Sequence, residues 1–377
     1  MLLLRVLRND GAEPMTIHRV GVALEPAYDI HIGAGALDLV PEMLSERRRV
    51  AIVSQSAIAD LYLDSIRSGL ANSEVFLIGD GEEAKSLSTV EGLCRNFAEF
   101  GLLRGDVVVA LGGGVVGDTA GFAASVYYRG VDVLQVPTSL LAQVDAAIGG
   151  KTAVNIPEGK NLVGAFHQPI AVAVDTDTLA SLSPREYRSG LGEIAKYALI
   201  SDFGSSGTGL IELLNNNTDL VLARVGAVLA DLVAMCCEIK AQVVAADPHE
   251  RTGIRATLNL GHTLAHALET RGGYELTHGE AVSIGLIFAV ELAEAAGRIS
   301  GETARRYCSV ASSLGLPLEV PGGSEVNAED LLAIMRRDKK ASGGLTFVLP
   351  GKDGLQLVED PPPDALAYAF RCVGVGG

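Results

Sequence analysis

The sequence predicts an α/β N-terminal domain, Rossmann-like with a mostly parallel wound sheet, followed by a mostly α-helical C-terminal domain. Three observations predict it. Short apolar runs alternate with helix-like segments through the first half, the pattern of strands joined by crossover helices. Beyond residue 178 the apolar period changes to about 3.6 residues. The chain, at 377 residues, is long for one hydrophobic core. The expected boundaries are an N-terminal tail at 1–14, an α/β domain at 15–178 and a helical domain at 179–377.

The elements follow in order. Residues 1–7 are apolar but too short for a signal peptide, and Arg8 and Asp10 follow at once. A second methionine, Met15, precedes the first strand pattern, so 1–14 read as a tail. Segments 17–22 and 28–32 alternate and read as a hairpin. Segments 49–53, 75–78, 107–111, 131–136 and 170–174 are buried-strand runs. In the second half, 185–200, 220–246, 256–269, 279–296, 302–314 and 328–337 repeat with helical period, and 345–349 is a short strand-like exception. Asp360-Pro-Pro-Pro-Asp364 reads as a stiff spacer. No run approaches the length of a membrane-spanning helix.

The net charge of −16 comes without any basic stripe, which argues against a nucleic-acid partner. An anionic substrate would need locally concentrated Lys and Arg. The five cysteines are odd in number and lack metal-type spacing, which points to a reducing cytosol.

Four clusters carry chemistry. In the first, Gly112-Gly-Gly-Val-Val-Gly-Asp118 lies between a buried strand and a helix, where glycine lets the backbone and a helix N-terminus approach a phosphate. Its spacing is not the usual G-x-G-x-x-G, and tight packing alone would explain such a turn. A second strand-end loop, Asp80-Gly-Glu-Glu-Ala-Lys85, offers Glu83 for ribose hydroxyls and Lys85 to orient neighbours. In the second cluster, 143–161 read as a glycine-rich loop holding Asp145, Lys151, Lys160 and Asn161, groups suited to a phosphate or a hydroxylated substrate. Arg129 adds a cation nearby. In the third, Glu193 and Lys196 share a helix face. Asn259, His262 and His266 fall at i, i+3 and i+7 on another helix, and His278 follows. Glu193, His262 and His278 form a Glu-His-His set that leaves positions open, as a catalytic zinc requires. The fourth is scattered: Lys240 and Arg255 could hold a carboxylate, with Arg255 as the planar fork, and Asp338-Lys339-Lys340 adds two cations.

Assembled, these motifs resemble the 3-dehydroquinate synthases of the sugar-phosphate cyclase superfamily. The likeness runs over roughly residues 17–350. It includes Pro137-Thr-Ser-Leu-Leu-Ala-Gln-Val-Asp145, Gly149-Gly-Lys-Thr152, Gly159-Lys-Asn161, Gly192-Glu-Ile-Ala-Lys196, Asn259-Leu-Gly-His-Thr263 and His278-Gly-Glu280. The resemblance implies an NAD-binding first domain, a divalent metal such as zinc or cobalt in the second, a cytoplasmic location and a homodimer. It implies Glu193, His262 and His278 as metal ligands. For NAD it implies Asp80, Gly81, Glu82, Glu83, Ala84, Lys85, Gly114, Val115, Val116, Gly117, Asp118, Thr138, Ser139, Lys151, Lys160, Thr178, Leu179, Ala180 and Ser181. For substrate it implies Asp145, Lys151, Asn161, Lys196, Asn259, His266 and one of Lys339 and Lys340, with Arg129 reaching the phosphate and Lys240 and Arg255 at the carboxylate.

The implied reaction turns 3-deoxy-D-arabino-heptulosonate 7-phosphate into 3-dehydroquinate and phosphate, in the shikimate route to aromatic amino acids. A hydride leaves C5 for NAD, phosphate is eliminated, the hydride returns, and an intramolecular aldol step closes the ring. Gly192, Ala195 and Ala198 depart from the commoner pattern on a packing scale, as do Pro248 and His249 in a segment usually more acidic. Three alternatives stay open. An amino-dehydroquinate synthase would keep the same residues. A cyclase acting on sedoheptulose 7-phosphate would have no use for Lys240 and Arg255 as carboxylate ligands. A metal-dependent polyol or glycerol-phosphate dehydrogenase would release its reduced cofactor.

Overall fold

A computed structural model describes residues 1–6, 15–203, 209–272, 276–338 and 344–376. Two compact units are present, one formed by Met1–Leu182 with Arg224–His249, the other by Ser183–Ala223 with Glu250–Gly377.

The first unit is built on an eight-stranded sheet. Strands β1 (Leu2–Val6), β2 (Met15–Val22) and β3 (Tyr28–Gly33) run antiparallel at one edge. Strands β4 (Val50–Ser54), β5 (Ser73–Leu77), β6 (Val107–Gly112) and β7 (Asp132–Pro137) are parallel. Strands β8 (Lys151–Ile156) and β9 (Gly159–Phe166) form a separate antiparallel hairpin. Strand β10 (Ala171–Asp175) then inserts in parallel between β3 and β7, giving the order β1-β2-β3-β10-β7-β6-β4-β5. Helices α1 (Val40–Met43), α2 (Ser56–Arg67), α3 (Leu87–Phe100) and α4 (Gly114–Val126) fill the connections.

Every residue of β4 and β6 is buried, so both faces of the sheet are covered, as a parallel sheet requires. Alternate side chains feed two cores. Ala51, Val53, Val108 and Ala110 pack with Phe97, Ala120 and Ala123, while Val50, Ile52, Val107 and Val109 pack with Val40 and Ile66. From β4 the chain steps outward to β5, then back across β4 to β6 and on to β7. The direction of winding therefore reverses between the carboxyl ends of β4 and β6, which is where doubly wound sheets leave a crevice.

The second unit begins with α5 (Pro184–Phe203) and α6 (Leu210–Leu222). The chain returns to the first unit for α7 (Gly226–Ala246), which packs on β2 and β3. It then forms α8 (His262–Arg271), α9 (His278–Ala295), α10 (Gly301–Ser313), α11 (Ala328–Asp338), the hairpin of β11 (Thr346–Gly351) and β12 (Gly354–Glu359), and α12 (Pro363–Cys372). Helix α9 is buried along most of its length and is flanked by α5, α8, α10 and α12. A helix apolar on all sides sits at the centre of its unit.

Several expectations change. Residues 2–6, read as part of a tail, form an edge strand. Within 143–161, read as a loop, residues 151–161 belong to the β8–β9 hairpin, whose outer strand is mostly exposed and so shows no apolar run. A single seam after 178 does not describe the units, because 224–249 packs with the sheet. The helix read at 220–246 breaks around Arg224, whose φ is +58°. The helix read at 256–269 is a 3-10 turn (Arg255–Asn259), an extended Leu260 and then α8. Gly261, at φ +79°, makes that break. A Cβ on Gly261 would lie 2.9 Å from the Leu286 nitrogen, and one on Gly285 would lie 2.0 Å from the Gly261 carbonyl. Asn259 therefore does not continue the helical face of His262 and His266. The spacer at 360–364 runs into α12, which starts at Pro363.

Among the described residues no helix is long and apolar enough to cross a membrane. The five cysteines are free thiols.

Candidate active site

In the second unit, Glu193 lies on α5, His262 opens α8 and His278 opens α9. Helices α5 and α9 meet backbone to backbone at this level. A Cβ on Gly192 would sit 2.1 Å from the Gly279 carbonyl, and one on Gly279 would sit 1.7 Å from the Ser189 carbonyl. The Gly279 amide donates to Ser189 Oγ at 3.1 Å. A capping box between Thr277 and Glu280 fixes where α9 starts, and so where His278 stands.

The donor atoms converge. Nε2 of His278 is 3.3 Å and Nε2 of His262 3.6 Å from Glu193 Oε1, and one ligand atom from each lies within 4.8 Å of the others. Metal bonds of about 2.0–2.1 Å at tetrahedral angles put neighbouring donors about 3.3 Å apart. The spacing thus fits a small divalent ion, and three ligands leave it an open position. Both rings are held from behind. His262 Nδ1 meets the Leu260 carbonyl at 3.1 Å and His278 Nδ1 meets Glu269 Oε2 at 3.3 Å, which turns each Nε2 toward Glu193.

Glu193 is only 1% exposed, and the buried Lys196, one turn on, pairs with its Oε2. Burial pushes His262 down to about 3, which keeps it a neutral ligand. Burial also lowers His278, but its hydrogen bonds to Glu193 and Glu269 outweigh that and push it up to about 10. A proton and a divalent cation therefore compete for the His278 lone pair.

The other residues expected in this unit are placed unequally. The His266 ring centroid is 5.5 Å from that of His262, and the side chain is exposed. Arg255 is 2% exposed on the 255–259 turn, and Asn259 is exposed at its end. Lys339 and Lys340 lie outside the described residues. Glu269 was missed by sequence reasoning. Its signal was there: His262, His266 and Glu269 stand at i, i+4 and i+7.

In the first unit four of the expected cofactor segments follow carboxyl ends of parallel strands. Asp80–Lys85 follow β5, with Gly81 at φ +73° and a 3-10 turn at Glu82–Ala84. Gly114, Val115, Val116, Gly117 and Asp118 begin α4 after β6. Thr138 and Ser139 follow β7. Thr178, Leu179, Ala180 and Ser181 lie on the turn Thr176–Ser181 after β10. The turn from β6 into α4 admits only glycine at 112, where a Cβ would meet Val116 Cγ2 at 2.5 Å. Helix α4 has no side-chain cap, so its first N–H groups suit a phosphate.

Lys85, 5% exposed, ties these segments together. Its Nζ donates to Asp118 Oδ2 and to Asn161 Oδ1, each at 2.6 Å. Burial pushes the Asp118 carboxyl up and Lys85 opposes it. Asn161, at φ +57°, also donates its amide to Asn155 Oδ1 at 2.8 Å. The structure thus ties Asn161, expected at substrate, to Lys85 and Asp118 of the segments expected at the cofactor. Lys151 and Lys160 are exposed on the β8–β9 hairpin, and Arg129 is exposed with φ +65° in the turn after α4. Asp145 and Lys240 form a pair, with Lys240 Nζ donating to the Asp145 carbonyl at 2.7 Å and meeting Oδ1 at 2.9 Å.

Two family models together cover most of the chain. Residues 75–189 match the family described as 3-dehydroquinate synthase N-terminal, and residues 190–341 the one described as 3-dehydroquinate synthase C-terminal. The chain is 44% identical over 357 residues to a 3-dehydroquinate synthase of Nitrobacter hamburgensis, covering 90% of each. Two solved structures superpose with a TM-score of 0.82. One is the 2-epi-5-epi-valiolone synthase of Streptomyces hygroscopicus with NAD+ and Zn2+ bound, 28% identical, covering 95% of this chain and 99% of that one. The other is a 2-deoxy-scyllo-inosose synthase complexed with carbaglucose-6-phosphate, NAD+ and Co2+, 25% identical, covering 94% and 99%.

Proposed function

The chain belongs to the 3-dehydroquinate synthase family, and we propose that it converts 3-deoxy-D-arabino-heptulosonate 7-phosphate into 3-dehydroquinate and phosphate with NAD and a divalent metal. It is a lyase of the carbocycle-forming kind. The observation that carries the proposal is the convergence of Glu193, His262 and His278, with their ligand atoms within 4.8 Å of one another and both histidine Nε2 atoms 3.3 and 3.6 Å from one carboxylate oxygen.

When bound, the metal polarises a substrate hydroxyl and NAD offers a reversible hydride acceptor. The chain's own residues do the positioning. Glu193, His262 and His278 hold the ion, and Leu260 and Glu269 hold the two rings. Lys196 balances the Glu193 charge, and its ammonium is suited to a substrate oxygen as well. Gly114–Asp118 and the loops at 80–85, 138–139 and 178–181 hold the dinucleotide. Lys85 keeps Asp118 and Asn161 in place. Lys240 and Arg255 are the groups suited to the substrate carboxylate, and they favour an acid over a sugar phosphate that lacks one. Little of this chemistry calls for a strong protein base; it calls for oriented groups and excluded water.

The test is a turnover assay with purified protein, zinc, catalytic NAD and the heptulosonate phosphate. Phosphate and dehydroquinate should form with no net NADH. Stoichiometric NADH would point to a dehydrogenase. Turnover only with sedoheptulose 7-phosphate or the amino analogue would sink the assignment. A cytoplasmic homodimer, in which the exposed Arg129 of one subunit reaches the phosphate of the other, belongs to the same proposal. A monomer by light scattering would remove that part.

A further inference from the structure

Gln143 takes no part in the site described so far, yet it is completely buried, with 0% exposure. It stands on the π-helical turn Ala142–Ala146, where the Ala147 amide reaches back five residues to the Ala142 carbonyl. Such wide turns recur at functional sites. Its Nε2 lies 2.8 Å from the Asp175 carbonyl, 3.0 Å from Thr178 Oγ1 and 3.2 Å from the Pro137 carbonyl. Asp175 ends β10 and Pro137 ends β7. These acceptors therefore stand at the roots of the two loops that carry Thr178–Ser181 and Thr138-Ser139.

The chemistry admits only one orientation of this amide. Two partners are carbonyls, and the Thr178 hydroxyl gives its own proton to the Asp175 carbonyl at 2.7 Å. All three are acceptors toward Gln143, so an oxygen in place of Nε2 would face three lone pairs. The backbone of Gln143 completes the junction. Its N–H donates to the Ser139 carbonyl at 2.9 Å, and its own carbonyl faces Cys237 Sγ of α7 at 3.5 Å. Two residues further along the same turn, Asp145 holds Lys240.

We propose that Gln143 is a positioning residue that sets the spacing of the 138–139 and 178–181 loops for NAD and links it to the Asp145–Lys240 pair. The inference rests on the assignment of those loops to NAD. A side chain without a donor at 143 leaves two carbonyls and a hydroxyl buried without their shared partner, and the loops are then free to separate.

The experiment compares wild type with Q143M, which keeps the bulk and removes the donor, using calorimetric NAD titration, zinc affinity and steady-state kinetics. The dissociation constant for NAD should rise by about tenfold, the scale of one or two lost buried hydrogen bonds. The zinc affinity should stay unchanged, and kcat should recover at saturating NAD. Wild-type NAD affinity in Q143M would overturn the proposal, whatever its melting temperature. So would a kcat that saturating NAD fails to restore. Should Q143M not fold, Q143N is read the same way, because its amide stands on a shorter arm and cannot reach all three acceptors. Failure of the wild-type protein to bind NAD would instead overturn the functional assignment on which this inference rests.

Discussion

In the first unit the candidate dinucleotide segments are contiguous stretches at the carboxyl ends of β5, β6, β7 and β10, whereas in the second unit the candidate metal donors come from three helices, at positions 193, 262 and 278. The first kind of site is made largely of backbone, and its place follows from strand order. The second is made of side chains, and it exists because helices approach closely at glycines. A backbone site should tolerate loss of single side chains in graded fashion. A three-ligand metal site should fail when one ligand goes.

The largest expected effect tests that contrast. His262→Ala should abolish stoichiometric metal binding and lower turnover by at least about 10^3-fold, while NAD affinity stays at the wild-type value. Metal analysis with NAD titration checks both, and retained metal would break the assignment of His262. Gly279→Ala comes next. Its added methyl would drive into the Ser189 carbonyl, separating α5 from α9 with all three ligands still present. Metal affinity should fall by about 10- to 100-fold, the scale of losing a ligand's support. Competition against a chromogenic chelator measures it, and an unchanged affinity would mean that the helix contact does not set the donor spacing. The smallest is Lys85→Met, which strips the counter-ion from Asp118 and should cost about 2 kcal/mol in urea unfolding because that carboxylate is only partly exposed. Metal affinity should not move; if it did, the two sites would not be independent in construction.

Much is legible in the amino-acid sequence. The runs that became β4, β6 and β7 are apolar at nearly every position, which only a doubly covered sheet accepts. The glycines at 112–114 stand between such a run and a helix. Glu193, His262 and His278 are residue types that ligate metals. Other features carried no such mark. The β8–β9 hairpin has an exposed outer strand and so no apolar run. Helix α7 has ordinary helical period, and its place in the first unit depends on which surface it covers. The break at Leu260–Gly261 lies inside an unbroken helical pattern, because periodicity records side chains and not the φ that Gly261 adopts. Gln143 reads as one polar residue among apolar ones until its three acceptors are located.

By itself the sequence determined the α/β class, the buried parallel strands, the family and the chemical types at the site, because local periodicity and residue chemistry are properties of the chain. Tertiary structure alone decided that Nε2 of His262 and of His278 stand 3.6 and 3.3 Å from one carboxylate oxygen, that Glu269 backs His278, and that Gln143 joins two strand ends. Apart from the Glu269–His278 contact, those relations join segments tens of residues apart. They arise from backbone approach at Gly192, Gly279 and Gly285 and from strand order in the sheet, and neither is a property of any local stretch of chain.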